Sequence, residues 1–425
     1  MLVAPLAASS EPDLRSLLAS MNIEPGVANP FNGVLPFGAF EQLHFARLVL
    51  LDDSLQADLE TLGLPRPRLP TYLALLGDCD GPVREFLADL AQRAGDGLRR
   101  IFSYCEGFAP EGDLLTWMLA HDRPASASYV NWVGRSVRQI KQESALQRAL
   151  ATTVPRGPSA LNADAQSIRL NLIAFVETEV RAGRLLLTPP EPTPLAWQAA
   201  KFAHALVVPL IGLVALPGLI VLLPLLVYQL RLRETHDPEI CPRPQARALQ
   251  ALQDLEDQDV TNQYTAIGAV KAGLFRRWLV TGLLELVNYA CRHVFTRGHL
   301  ARVQTIHFAR WAFLDAKTRV VFVSNYDGSH QAYMDDFINK VAWGLNLVFS
   351  NGIGWPRTHW LIHGGARIEQ RFKYFQRRHQ VPTQVWYKAY PGLALVDLKR
   401  NHRIREGLER SAMNDAQALA WLKLL

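Results

Sequence analysis

Residues 44–52 read HFARLVLLD, and residues 307–315 read HFARWAFLD. Self-similarity of this kind within one chain is the mark of a repeated structural unit. A second block begins at the Asp-Gly pair at 80–81 and recurs from the Asp-Gly pair at 327–328, without a gap, at a constant distance of 247 residues. The two blocks follow the same order in both places, so the sequence predicts an internally duplicated unit.

The repeat extends beyond these blocks. Pairs of identical residues lie at the same distance after the two Asp-Gly turns: Asp89 and Asp336, Gly97 and Gly344, Leu98 and Leu345, Phe102 and Phe349, Ser103 and Ser350, and Gly107 and Gly354. A third block places a proline and a tyrosine at equal spacing after His121 and again after His379. Three matching blocks in one order indicate one copy of the unit in each half of the chain.

The second copy shows the elements of the unit most clearly. β-Branched and aromatic runs predict strands, and apolar residues at helical spacing predict helices. The order is strand 262–270, helix 274–295, strand 305–314, strand 319–326, a helix capped by Ser329 and ending near 349, helix 366–378 and strand 384–390. This order is the ferredoxin-like split βαβ arrangement. The first copy keeps the hairpin, with a longer loop at 64–70, the next helix and the last strand, but its first strand and helix are not recognisable.

These patterns divide the chain into six segments. They are a reduced first ferredoxin-like repeat at 1–150, a helical and Pro-rich linker at 151–195, an apolar membrane-embedding segment at 196–233, a linker with a short helix at 234–260, the second repeat at 261–400 and a helical tail at 401–425. The predicted fold class is α+β, with two repeats and an inserted apolar helical segment.

Two ferredoxin-like units in one chain can pair their sheets around a pseudo-twofold axis. This topology resembles the dimeric α+β barrel superfamily, in which two such halves enclose a cavity, and it is distantly similar to haem proteins of that superfamily such as dye-decolourising peroxidases and chlorite dismutases. The string GDCDG at 77–81 looks like the GxxDG signature of the dye-decolourising peroxidases, whereas the second copy reads SNYDG at 324–328. The resemblance implies an intrachain pseudo-twofold α+β barrel with a haem cofactor. Cofactor-free oxygenases and small binding proteins share the superfamily.

The segment 196–233 has no charged residue between Lys201 and Arg231. About twenty apolar residues suffice for one transmembrane helix, and Trp197 and Tyr228 lie where interfacial anchors belong. The segment is therefore predicted to enter a membrane.

Two modes of insertion follow from this segment. If the two halves form one barrel, they lie on one side of the bilayer, and a single span would separate them. Pro209, Pro217 and Pro224 interrupt the run, and about twelve residues on each side of Pro217 are too few for a span. A half-inserted segment bent at Pro217-Gly218, either a helix pair or a kinked helix, is therefore favoured over a true span.

The repeated HFAR motif supplies candidate site residues. His44 and Arg47 lie on one predicted strand, and His307 and Arg310 lie on its counterpart. Because side chains alternate along a strand, a His and an Arg three apart should point to opposite faces, and at most one of each pair should enter a barrel cavity. A buried arginine needs an anionic partner, either Asp327 or a carboxylate of the ligand.

Helix ends and turns add further candidates. His121 and His379 lie at a helix end just before a strand, where a histidine either caps the helix or binds haem iron. Asp80 and Asp327 occupy strand-to-helix turns, either as ordinary turn residues or as distal acids.

Composition and motifs narrow the partners. The four cysteines show no CxxC spacing and are typical of a reduced, cytosol-facing protein, and the sequence contains no P-loop, GxGxxG, GxSxG or HExxH motif. The net charge is +6, and basic and aromatic residues cluster at 355–390 as in nucleic-acid-binding proteins. The apolar segment instead favours membrane lipid and a hydrophobic small molecule as partners, without nucleic acid, at the cytoplasmic face of a membrane.

The first hypothesis is a membrane-associated, haem-dependent oxidoreductase, peroxidase- or oxygenase-like, acting on a hydrophobic substrate. The second copy would hold the site, with His379 or His307 as axial ligand and the distal side opposite. The candidate catalytic residues are Asp327, Arg310, Asn325 and Tyr326, and the candidate haem-binding residues are His379, His307 and Arg310, with His379 as the metal ligand. The alternative is a non-enzymatic membrane-surface protein that binds a lipid or acidic ligand or recruits a partner. A Soret band would separate the two.

Overall fold

The computed structural model describes residues 1–7, 9–52, 59, 63–64, 69–154, 165–296, 298 and 300–425. Within these residues the protein is a mixed α/β chain with antiparallel sheets and one long apolar helix. The long hairpin loop predicted at 64–70 lies largely outside the described residues.

Eight strands build two four-stranded antiparallel sheets in this part of the chain. In chain order they are β1 (Leu2–Pro5), β2 (Leu43–Leu51), β3 (Tyr72–Cys79), β4 (Ala127–Val130), β5 (Thr261–Ala269), β6 (Ile306–Leu314), β7 (Arg319–Asp327) and β8 (Thr383–Lys388). The first sheet has the order β1-β3-β2-β8, and the second has the order β4-β6-β7-β5. Two short ribbons lie outside the sheets: Asn22–Glu24 with Val27–Ala28, and Thr358–His359 with His363–Gly364.

The α-helices of the described residues connect and cover these strands. They are α1 (Glu11–Ala19), α2 (Val83–Arg93), α3 (Gly95–Phe102), α4 (Leu114–His121), α5 (Val137–Thr153), α6 (Ala165–Arg181), α7 (Leu195–His236), α8 (Ala246–Gln253), α9 (Leu274–His293), α10 (His330–Lys340), α11 (Ala342–Phe349), α12 (Glu369–His379), α13 (Leu395–Glu409) and α14 (Asp415–Leu422). Single 3-10 turns occur at Phe37–Ala39, Asp315–Lys317 and Gly365–Arg367.

The strands and helices predicted for the second half are present, with bounds within a few residues of those expected. Ser329 caps α10, since its side chain accepts a hydrogen bond from the Ala332 amide. The single helix predicted there is two helices, because the backbone leaves the helical conformation at Val341, where φ is −141°. The first half breaks at the aligned Ala94 between α2 and α3.

The first half also contains a strand and a helix that the sequence did not reveal. β1 pairs with β3 as β5 pairs with β7, and α1 lies between β1 and β2 as α9 lies between β5 and β6. β1 has only four residues and α1 nine, against nine and twenty in the second half. Elements this short carry little periodic signal, which explains why they were missed.

Each sheet takes one edge strand from the other half of the chain. β8 pairs with β2, placing Trp386 opposite Arg47, and β4 pairs with β6, placing Ser128 opposite Arg310. In the ferredoxin-like order expected from the sequence, a last strand would stay with its own copy. The exchange means that neither sheet is complete without residues from both halves.

An apolar cluster contains residues from both sheets. It includes Val49, Leu51 and Leu76 from the first sheet together with Val321 and Val323 from the second. Alternation along the strands therefore assigns one face of each sheet to this shared layer. A second, larger cluster packs α9–α12 against the outer face of the second sheet.

The apolar segment forms one helix, α7, of 42 residues, with Pro209, Pro217 and Pro224 inside it. Of the two forms expected for this segment, the helix pair is therefore wrong. A proline removes one backbone hydrogen bond and bends a helix, but the leucine-rich flanks favour the helical state on both sides of each proline. At 1.5 Å per residue, α7 is about 63 Å long.

The chain separates into two compact units: residues 1–133 with 193–388, and residues 134–192 with 389–425. Both sheets and α7 belong to the first unit. The second unit is helical, with a core that includes Leu146, Leu172 and Ile404, and it contains the buried ion pair of Arg135 and Glu143. The six segments drawn from the sequence follow the repeat instead, and those boundaries stay a prediction.

Candidate functional site

The two HFAR motifs meet between the sheets. The register of the pairing with β3 shifts at His44, and that with β7 shifts at His307. The His44 ring lies 5.5 Å from Phe308 of the opposite sheet, and the His307 ring lies 5.4 Å from Phe45. An extra residue in one strand re-aims the side chains beside it. The expectation that at most one residue of each His/Arg pair enters this space is therefore wrong, since Arg47 also contacts the opposite sheet.

Each of these histidines binds the aspartate of its own turn. His44 Nε2 lies 3.0 Å from Asp80 Oδ1, and His307 Nε2 lies 2.6 Å from Asp327 Oδ1. Thr261 Oγ1 also donates to Asp327 Oδ1, at 3.0 Å. An axial His307 and a distal Asp327 would have to lie on opposite faces of a haem, whereas the structure joins them directly.

Arg47 is fully buried between the sheets. Its guanidinium donates to the carbonyl oxygens of Tyr264 and Ser324 and to Thr265 Oγ1, at 2.9–3.0 Å, and also to Asn325 Oδ1. Burial lowers the pKa of Arg47 to about 9, and the nearby Asp78 carboxylate opposes that fall. The arginine thus joins the two sheets through oxygen atoms of the second sheet.

The matching arginine, Arg310, extends from the second sheet to the first. Its Nη2 lies 3.3 Å from Asp78 Oδ1, and Asn325 Nδ2 donates to Asp78 Oδ2 at 2.8 Å. The anionic partner of Arg310 is therefore Asp78 and not Asp327. Sequence reasoning missed Asp78, although it is the residue aligned with Asn325 247 positions later. Together with Arg47, these groups leave a void of only about 10 Å³.

Tyr326 lies away from this network. Strand alternation places it on the outer face of β7, where its ring stacks on Tyr333 at 3.9 Å. Burial raises the pKa of Tyr326 well above its ordinary value. The two polar candidates of the turn, Asn325 and Tyr326, therefore do not share a site.

His121 and His379 end matched helices in matched ways. The Nδ1 atom of each lies 2.8 Å from the carbonyl oxygen four residues earlier, that of Trp117 or Phe375, and each ring stacks on that same residue. This is the helix-capping geometry anticipated as one alternative. Burial lowers the pKa of His379 to about 4, so its ring is neutral at pH 7.

The surroundings of His379, His307 and Arg310 do not fit haem. A Cβ atom added at Gly268 would lie 2.9 Å from the His379 ring, so the strand covers that face of the imidazole, and the adjoining void is about 40 Å³. The space between the sheets is smaller still, whereas ligand pockets are typically ~300–1,000 Å³. Arg310, expected to pair with a propionate, already binds Asp78.

The larger space lies on the outer face of the second sheet. A cavity of about 260 Å³ is lined by α9, α11 and the strands beneath them, including Val287, Cys291, Trp311 and Phe337. Each of its lining residues within the described chain is apolar, a glycine or the Cys291 thiol, whose pKa burial raises to about 12. Sequence reasoning missed this site, because aliphatic residues at helical spacing are indistinguishable from ordinary core.

α7 contacts other parts of the first unit near both of its ends. Near its start, His204 Nδ1 lies 2.9 Å from His293 Nε2, and Tyr289 donates to the carbonyl of Ala205. Near its end, Glu234 accepts hydrogen bonds from the backbone of Leu361 at 2.8 Å and from Thr358 Oγ1. Between these contacts the apolar side chains of α7 are exposed.

Among the described residues, α7 is the one helix long and apolar enough to cross a membrane, judged by length and composition alone. Comparisons with protein-family models, with curated proteins and with solved structures gave no match. The function must therefore be argued from the geometry of this chain.

Proposed function

We propose that this protein is a membrane-surface protein held in one leaflet by α7, which lies in the plane of the membrane with both ends on the same side. The observation that carries this proposal is a helix without charge between Lys201 and Arg231 whose two ends are attached to one folded unit. Its apolar side chains are exposed all around, as for Val214 at 75% and Val221 at 78%.

The fold argues against a crossing. β4, which precedes α7, pairs with β6, which follows it, and β8 pairs with β2. The anchored residues His204 and Glu234 are about 45 Å apart along the helix, more than the ~30 Å of a hydrocarbon core. A span would place these two contacts on opposite sides of a bilayer, although both are made with the same unit.

The flanks of α7 suit an interface. Lys201 Nζ lies 5.3 Å from the Trp197 ring, and the Arg231 guanidinium lies 4.8 Å from the Trp360 ring. Tryptophan, lysine and arginine are the residues that hold helices at the headgroup level. The helix α9, which contacts α7 through Tyr289, carries a further exposed tryptophan, Trp278, at 69%.

An intrachain barrel of two ferredoxin-like repeats would be the scaffold behind this anchor. The matched His–Asp pairs and the matched helix ends at His121 and His379 support that interpretation. The haem-dependent oxidoreductase stays a prediction, although the surroundings of its candidate residues His379, His307 and Arg310 do not fit its cofactor. An absorption spectrum of the purified protein tests it directly.

Flotation with phosphatidylcholine vesicles tests the anchor. Val214→Glu places a charge in the middle of α7 and should abolish co-flotation, since a charge at depth in a bilayer costs ~2.5–3.5 kcal/mol. Val396→Glu is the matched control, because Val396 is similarly exposed, at 71%, on a helix of the other unit. Equal flotation of the two variants would refute the proposal.

Cysteine labelling tests the in-plane orientation. Gln198→Cys and His236→Cys, each in a full-length chain whose native cysteines are replaced by alanine, mark the two ends of α7. After insertion into preformed vesicles, a membrane-impermeant maleimide should label both positions without lysis. Labelling of only one end before lysis would establish a span and overturn the proposed orientation.

A further inference from the structure

The cavity beneath α9 differs from ordinary packing defects in size and in chemistry. Engineered apolar cavities of ~150 Å³ stay dry and bind benzene, and this one measures about 260 Å³. The cavity wall includes the indole of Trp311, whose Nε1 has no hydrogen-bond partner within the described residues. The space therefore suits a hydrocarbon chain.

The first half has a position equivalent to this cavity, and the backbone of the same chain covers it. Gly344 lines the cavity, and the nearest atom to a Cβ added there is Val341 Cγ2, at 3.4 Å. At the aligned Gly97, an added Cβ would meet the carbonyl oxygen of Val34, because the chain segment around Val34 packs directly on that glycine. The first half thus covers this glycine with its own backbone, and the void near the following residues Leu35 and Phe37 is about 60 Å³.

The mouth of the cavity is apolar, and α9, which forms one of its walls, also contacts α7. Leu286 and Trp343 line it and are 65% and 45% exposed, so apolar groups frame its mouth. Ala290 and Cys291 line it from α9, directly beside Tyr289, which bonds to α7. A chain can pass from the proposed membrane face into the cavity without meeting a charged side chain among the lining residues.

We infer that this cavity takes up the hydrocarbon chain of a membrane lipid, which enters between α9 and α11 from the leaflet that holds α7. The inference rests on the proposed membrane attachment and adds a ligand class to it. In the first half, the backbone of Val34 occupies the space beside Gly97. In the second half, the lipid chain would occupy the equivalent space beside Gly344.

The test uses the full-length protein in detergent after incubation with dioleoyl-phosphatidylcholine vesicles. Native mass spectrometry should find one lipid retained on the wild type and on Gly282→Leu, whose new side chain points into open space. Gly344→Leu should lower retention about tenfold, because its side chain takes the volume of several methylene groups. Equal retention by both leucine variants, or none by the wild type, would overturn the inference.

A second measurement does not depend on Gly344→Leu folding normally. Phosphatidylcholine with brominated acyl chains should quench tryptophan fluorescence of the wild type in detergent, and Trp311→Phe should lose part of that quenching. Unchanged quenching in Trp311→Phe would contradict entry of the lipid chain into the cavity. Retention of a soluble apolar molecule in place of phospholipid would contradict the membrane as the source of the ligand. Flotation separates the two proposals, since Gly344→Leu should float like the wild type even if the cavity binds no lipid.

Discussion

The two halves of the chain agree where they face each other and differ where they face outward. Between the sheets, both contribute a His–Asp pair and an arginine, and the remaining void is about 10 Å³. On the outer faces, the first half has a void of about 60 Å³ and the second a cavity of about 260 Å³. The contrast teaches that the two arginines of the repeated motif join the halves, whereas the larger space occurs where one half lacks a covering segment.

The largest expected effect comes from the two arginines. Arg47→Met removes a buried guanidinium and leaves two carbonyls and two side-chain oxygens of the second sheet without their donor. We expect the free energy of unfolding, measured by urea titration, to fall by about 3–5 kcal/mol. Arg310→Met, whose side chain is 25% exposed and makes one ion pair, should cost about 1–2 kcal/mol. Similar losses for both would remove the distinction drawn between the two arginines.

The aligned glycines provide the second comparison. Gly97→Ala forces the backbone at Val34 to move, because the new Cβ overlaps its carbonyl oxygen, and we expect a loss of about 1–3 kcal/mol or more. Gly344→Ala meets only ordinary contacts and should stabilise its helix by up to about 1 kcal/mol. Thermal unfolding of the two variants should therefore shift in opposite directions. If the unfolding temperatures of both variants shifted in the same direction, the result would contradict an open cavity beside Gly344.

The third comparison concerns pH and His379, the buried histidine that ends α12. Burial lowers the pKa of His379 to about 4 in the folded protein, below the ~6.5 of an unfolded histidine. The unfolded chain therefore binds more protons as pH falls, and stability present above about pH 6.5 is lost toward pH 4, with a slope approaching about 1.4 kcal/mol per pH unit. His330, with a pKa of about 3, adds to the same trend.

Variants separate the contribution of His379 from that of His330. His379→Gln should flatten the pH dependence of urea unfolding between pH 4 and about 6.5, the ordinary histidine value. A pH profile that is identical in the wild type and in His379→Gln would show that His379 is not held neutral by the fold.

Much of the second half was predictable, because its periodic signals are long. The hairpin of β6 and β7, the cap at Ser329 and the helix ending at His379 follow from alternation, capping and helical spacing. The register shifts at His44 and His307 were not predictable, since one extra residue in a strand leaves no compositional mark. These shifts change the direction expected for the side chains beside them. As a result, both the histidine and the arginine of each motif lie between the sheets.

Two further features depend on tertiary structure alone. The exchange of β4 and β8 leaves the order of elements along the chain unchanged, so a ferredoxin-like reading and the observed sheets have the same sequence pattern. The cavity arises from what is missing above Gly344, and a single sequence gives no sign of a space. By contrast, the HFAR motif attracted attention through its polar residues, whose partners Asp78 and Asp327 prove to be internal.

The exchanged strands also set an order of events during synthesis. Because domains fold as the chain emerges, β1, β2 and β3 can assemble early, yet the β2 edge stays open until β8 at Thr383–Lys388 has been made. An open edge of this kind is a template for wrong pairing between chains. α7 emerges from the ribosome well before β8 does, so a nascent chain carries an exposed apolar helix and an unpaired sheet edge at the same time. Capture of α7 by a chaperone or a membrane at that stage would cover the exposed apolar helix. The edge of β2 would stay unpaired until β8 has been made.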